Sequence, residues 1–256
     1  MWTFRAIALV IAGSALLSYA KLSGQSLNIP RQYWPRILLA TLCYLVVWNI
    51  TSTYAAILIP SGQAAILGFT MPIWTSIMTV IFLREAITIR LSLATLFTIT
   101  SVACLMSKGL TDYAQAPLGF AMGLLSGFGW AVGTIVLKRG NFPTTAAVLT
   151  GWQLLVAAVP IGVAALFIGD HQWFVPTWQS IAVIGYIGLI PLCIGNLCWF
   201  SLVKILPANV AGLSSIMIPI VAMISGAVIS QEPLGPMQLA AMFFSALALA
   251  LTLIKR

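Results

Sequence analysis

The sequence predicts an all-α fold: a polytopic helical membrane protein of nine spans, arranged as an inverted repeat of helix bundles, four spans and then five. Three observations predict it. Of 256 residues, 61% are hydrophobic and only 6% charged, and the mean hydropathy is +1.07. A soluble surface needs roughly 25–35% charged residues, and disorder needs low hydrophobicity. The apolar residues run in long unbroken blocks, where a porin-type barrel would show short alternating ones. Finally, the basic residues fall almost entirely on alternate loops.

The spans follow from the charge-free stretches, because a helix needs about 20 residues to cross a bilayer. The first, at about 4–22, is the weakest, since Arg5 and Lys21 leave 15 uncharged residues between them. Both can snorkel to the interfaces. A cleaved signal peptide competes for this segment, but no A-x-A-like site precedes Lys21. The stretch 37–83 must hold two spans, 36–58 and 62–83, divided at the turn signal Ile59-Pro60-Ser61-Gly62. The others are expected at 88–107, 117–138, 146–168, 178–203, 208–230 and 235–254.

With nine spans, one side carries only Arg5 and Lys108, and the other side carries the remaining ten of the twelve basic residues. The C-terminus is therefore expected in the cytoplasm and the N-terminus outside. The net charge of +8 reads as topology, not nucleic-acid binding, because the cations are scattered. Cys43, Cys104, Cys193 and Cys198 lie in apolar runs with no ligand spacing and read as packing residues. No cofactor or metal is expected.

A shift of 147 residues aligns the halves without a gap. Asn49 meets Asn196, Pro60 meets Pro207, Pro72 meets Pro219 and Glu85 meets Glu232. The two copies, 1–110 and 111–256, then run in opposite directions through the membrane, a signature of many secondary transporters. Span 146–168 maps onto the first span, and 117–138 maps upstream of Met1. The first copy is one helix short, and a shortened start is preferred over a genuine nine-span form.

The order of these motifs resembles the drug/metabolite transporter superfamily, in its EamA-type branch. The carrying stretches run from Ser61-Gly-Gln-Ala-Ala to Pro72 and Phe82-Leu-Arg-Glu85, and from Pro207-Ala-Asn-Val-Ala-Gly through Pro219 to Ser230-Gln-Glu232. Gly129-Trp130-Ala131 with Lys138-Arg139 fits the helix that opens the second half. The resemblance implies ten helices in two inverted five-helix repeats. It also implies export of small metabolites, often amino acids, across a bacterial inner membrane. The chain departs by lacking the family's first helix.

Alternating access needs helices that bend. Pro72 and Pro219 stand mid-span, and each is expected to free the carbonyl four residues back, on Gly68 and Ser215, for a ligand or a water. A fixed kink is the plainer reading. Glu85 and Glu232 end their spans and either cap and pair locally or gate. The mid-span polar and aromatic residues Trp48, Asn49, Trp74, Trp130, Asn196 and Trp199 are the candidates for lining a substrate cavity. An interhelical hydrogen bond serves the two asparagines equally well. The row Gly119, Gly123, Gly127 forms a packing face, with a homodimer as the lesser reading. No charge lies at a span centre, which favours a neutral or zwitterionic small-molecule substrate. A membrane enzyme lacks its chemistry here, having one histidine, His171, in a loop. A non-transporting scaffold or degenerate transporter remnant is the alternative function.

Overall fold

A computed structural model describes residues 2–84, 86–168, 177–229, 231 and 234–253. Among them every regular element is helical: α1 (Trp2–Leu22), α2 (Trp34–Thr41), a π-helix (Leu42–Val47), α3 (Trp48–Leu58), α4 (Ser61–Gly68), α5 (Met71–Leu83), α6 (Ile89–Met106), α7 (Leu110–Gln115), α8 (Pro117–Gly140), α9 (Ala146–Ile168), α10 (Trp178–Ile187), a second π-helix (Gly188–Gly195), α11 (Asn196–Ile205), α12 (Ala208–Ser214), α13 (Met217–Ile229) and α14 (Pro236–Leu253). Joined across their bends, these make 8 helices long and apolar enough to cross a membrane, and a ninth, Pro236–Thr252, falls just short. Their limits follow the expected spans closely.

The boundaries have local causes. Pro60 and Pro207 cannot continue a helix and stand as N-caps of α4 and α12. The Thr88 hydroxyl accepts from the Leu91 N–H, 3.1 Å, and starts α6. Thr177 and Ser180 form a capping box at the start of α10. Within the spans, threonine hydroxyls donate to carbonyls of their own helix, as from Thr53 to Asn49 (2.6 Å), Thr75 to Met71 (2.9 Å) and Thr98 to Ala94 (2.8 Å). These three hydroxyls are thereby satisfied without a second helix.

The chain divides into two compact units. Unit 1 comprises residues 1–46 and 136–205; unit 2 comprises 47–135 and 206–256. Each therefore draws on both halves of the sequence.

In unit 1, α1 packs along α9. A Cβ added at Gly13 would lie 2.8 Å from Leu155 Cγ and 3.0 Å from the Gly151 carbonyl; one added at Gly151 would lie 2.8 Å from Leu17 Cγ. Early residues of α1 meet late residues of α9, so the helices are antiparallel. The core around them holds Leu9, Leu16, Ile37, Tyr44, Leu154 and Ile161, all almost fully buried.

In unit 2, α6 packs along α14. The Ser101 and Ser245 hydroxyls bond at 2.7 Å, Ser101 also donates to the Ala241 carbonyl at 2.9 Å, and Arg90 donates to the Leu251 carbonyl. This pair is antiparallel too. The glycine row of α8 faces the chain's own helices. A Cβ at Gly119 would meet Leu58 at 2.9 Å, and one at Gly123 would meet Leu67 at 2.5 Å. At Gly127 it would meet Thr70 Oγ1 at 2.7 Å, the Gly68 carbonyl at 3.0 Å and Met71 N at 3.2 Å. The packing reading of this row is what the fold uses.

Backbone irregularities recur 147 residues apart. The π-helix at 42–47 is matched by that at 188–195. The break between α4 and α5 is matched by that between α12 and α13. Arg84 (φ 53°) and Gln231 (φ 55°), both left-handed, correspond to each other. Left-handed backbone is uncommon outside glycine, so chance does not easily put it at matching positions. The paired helices α1 with α9 and α6 with α14 are also separated by this offset.

Candidate functional site

Pro72 and Pro219 each stand just after a two-residue interruption of their span, between α4 and α5 and between α12 and α13. Pro72 lies at the start of α5, after Phe69 and Thr70, and Pro219 in the first turn of α13. A first-turn proline costs nothing, since its N–H would have no intrahelical acceptor. The Ser215 carbonyl is not released: it accepts from the Ile218 N–H at 3.0 Å. The Gly68 carbonyl is closely approached by Gly127 of α8. Glu85 and Glu232 lie outside the described residues.

In unit 2 the candidate aromatics pair off. Trp48 meets Trp130 edge to face at 5.2 Å, and Trp74 meets Phe128 at 5.5 Å. The Trp74 indole donates to Thr70 Oγ1 at 3.2 Å, and Thr70 Oγ1 donates to the Leu67 carbonyl at 2.7 Å, so Trp74 is anchored to the helix break. Asn49 is buried, 3% exposed, at the head of α3. Its carbonyl accepts from Thr53. Trp48 and Trp130, both half-buried, thus stand together beside a buried amide one residue along the chain. Ser76, in the same unit, is buried with a hydroxyl that has no hydrogen-bond partner among the described residues.

In unit 1, Asn196 is engaged by protein groups. Its Oδ1 accepts from the Tyr44 hydroxyl at 2.5 Å, and its Nδ2 donates to the Leu192 carbonyl at 2.9 Å. Of the two readings of this asparagine, the geometry favours the hydrogen bond. Tyr44, fully buried, also packs edge to face on Phe200 at 5.1 Å. Trp199 is half-buried on the adjoining turn. Both π-helices lead directly into these amide-bearing segments, Val47 before Trp48-Asn49 and Gly195 before Asn196. Single-turn π stretches frequently mark functional positions.

Two residues escape the sequence reading. Tyr44 has no repeat partner to flag it, since its counterpart is Pro191. Gln153, deep in α9, is fully buried, and neither amide atom has a hydrogen-bond partner among the described residues. The rule that singles out Asn49 and Asn196, an amide inside a span, reaches Gln153 as well. The four cysteines are free thiols, and no group of three or more His, Cys, Asp and Glu gathers among the described residues.

This arrangement has known counterparts. Residues 1–107 and 117–254 each match the EamA-like transporter family. The chain belongs to that family. It is 20% identical over 234 residues to the uncharacterized transporter YvbV of Bacillus subtilis (strain 168), covering 90% of this chain and 75% of that one. It is 23% identical to the uncharacterized inner membrane transporter YedA of Escherichia coli (strain K12), over 89% of this chain and 73% of that one. A solved crystal structure superposes with a TM-score of 0.83 at 16% identity, covering 98% of this chain and 87% of the other; that likeness concerns the fold. The EamA-like chain is thus a multi-pass membrane transporter of the drug/metabolite type, and its chemistry is carriage.

Proposed function

We propose that this EamA-like protein exports small metabolites, such as amino acids, across the cytoplasmic membrane by alternating access. One observation carries the reading: helix breaks and π-helices recur at corresponding positions of the two halves. Discontinuous helices at repeat-related positions are where secondary transporters build their substrate sites. The antiparallel packing of α1 on α9 and of α6 on α14 supports two inverted copies, 1–110 and 111–256. The ten-to-two distribution of basic residues supports a cytoplasmic C-terminus.

Trp48, Asn49, Trp74 and Trp130 are assigned to substrate contact within unit 2, and Trp199 to substrate contact within unit 1, where Asn196, held by Tyr44 and the Leu192 carbonyl, supports it. Paired indoles suit an apolar side chain. A buried amide both donates and accepts, as a carboxylate and an amine require. Pro72 and Pro219 are assigned to the hinges that reset the broken helices, and Glu85 and Glu232 to their ends.

The test is export. Cells expressing the protein are challenged with a panel of amino acids and toxic analogues, and efflux of each labelled hit is then measured. At least one compound should be exported, and Asn49→Ala should reduce its protection at equal expression. Equal protection by the variant would remove Asn49 from the site, and export of no panel member would overturn the substrate class.

A further inference from the structure

Unit 1 contains a cavity of about 160 Å³ at the α8–α9 end, lined by Lys138, Asn141, Phe142, Leu149, Phe200 and Lys204 among others. Its volume is several times the ~30 Å³ that one water molecule occupies in the liquid. Two lysines line it, and among the described residues no acidic one does. Their ammonium groups hold the wall in shape: Lys138 donates to the Val203 and Lys204 carbonyls at 3.0 and 3.3 Å, and Lys204 donates to the Thr144 carbonyl at 2.9 Å. An ammonium has three donors, so Lys204 retains capacity for an anion. Phe200 closes one wall and rests on Tyr44, which bonds Asn196.

The cavity face of α9 continues inward. Ala146 and Leu149 both line the cavity. At 3.6 residues per turn, Gln153 projects within about 40° of each. Helical side chains lean toward the N-terminus, so the Gln153 amide reaches back toward the cavity. Thr150, on the same side, is fully buried and its hydroxyl also lacks a partner among the described residues. Most hydroxyls in the spans bond a carbonyl of their own helix; Thr41, Ser76 and Thr150 are the buried ones left without a partner among the described residues, and only Thr150 lies beside an amide in the same condition. Sealing both atoms of an amide from water without partners is costly, and an apolar residue of that shape would avoid the cost. Leu149, which lines the cavity, lies one turn before Gln153 on the same face of α9.

We propose that this cavity and the α9 face behind it bind a small organic carboxylate that bears a second hydrogen-bonding group. Lys204 meets the carboxylate. On a turn of the Leu149 side chain, Gln153 and Thr150 receive the second group. The site lies wholly within unit 1 and does not rest on the export reading.

Binding is measured on the purified full chain in detergent, by tryptophan fluorescence and thermal shift, without any gradient. Failure here is therefore separable from failure of transport. The probes are 4-hydroxybutyrate, butyrate (no hydroxyl) and 4-hydroxybutyramide (no charge). Saturable binding of 4-hydroxybutyrate is expected, with the other two about tenfold weaker, a difference of ~1.4 kcal/mol each. Lys204→Gln should abolish the preference for acid over amide. Should that variant misfold, affinity of the native chain for the acid must still fall as salt rises. Gln153→Leu should abolish the preference for the hydroxyl, and should raise the melting temperature of the ligand-free protein by removing an unpartnered amide. No saturable response to either acid overturns the proposal. So does salt-independent binding, a Gln153→Leu variant that keeps the hydroxyl preference, or one that melts lower than the native chain.

Discussion

Two interfaces join a helix to the one 147 residues further along, and they are made by different means. Where α1 meets α9, Gly13 and Gly151 strip the surfaces so that backbone and leucine side chains close on each other. Where α6 meets α14, Ser101 and Ser245 share a hydrogen bond, and Phe97 stacks on Phe244 at 6.0 Å. Lipid tails are as apolar as leucine, so burying leucine against leucine gives little drive to associate. Shape and polar contact are what remain, and this chain uses one for each pair. A contact made by shape fails when atoms are added, whereas a contact made by a hydrogen bond loses only that bond when atoms are removed.

The largest effect is expected at the glycines. Gly13→Val should destabilise unit 1 by about 1–3 kcal/mol or more through overpacking, read as a lower temperature at which the protein stays monodisperse in detergent. The smaller Gly13→Ala should be partly rescued by Leu155→Ala, because the Leu155 side chain is the nearest obstacle; the Gly151 carbonyl makes the rescue incomplete. Full additivity of the two changes would refute this picture of the interface. Next is Tyr44→Phe, which strips the Asn196 carbonyl oxygen of its donor and should cost up to ~1.7 kcal/mol, the upper range for such bonds in membranes. Ser101→Ala should cost about 0.6 kcal/mol, and Ser101→Ala with Ser245→Ala should cost little more than the single change, because one bond joins them. Thr98→Val should be the mildest, under about 0.5 kcal/mol, since that hydroxyl serves only its own helix. A loss at Thr98 as large as at Ser101 would mean that hydroxyls matter in α6 wherever they point.

The spans were readable because the bilayer imposes a length and excludes charge, and both conditions are visible one residue at a time. The internal repeat was readable because Pro, Glu and Asn are uncommon in such a chain, so their matching at one offset stood out, and the family model likewise matches twice, over 1–107 and 117–254. The prolines were legible as special but not as helix starts, because a proline looks the same in sequence whether the helix bends at it or has already ended. The π-helices carry no proline signal in common: one contains Pro191, the other has none. The glycine row of α8 was recognisable as a packing face, while its partners at Leu58, Leu67 and Thr70 were not.

By itself, then, the sequence determined the class, the spans, the repeat and the kind of molecule, since these depend on composition and spacing along the chain. The tertiary structure alone decided that Tyr44 would meet an asparagine 152 residues away and that Gln153 would be sealed without a hydrogen-bond partner among the described residues. Hydrogen-bond satisfaction is a property of which helices come together, and two amides equally placed in their own spans can end with opposite outcomes.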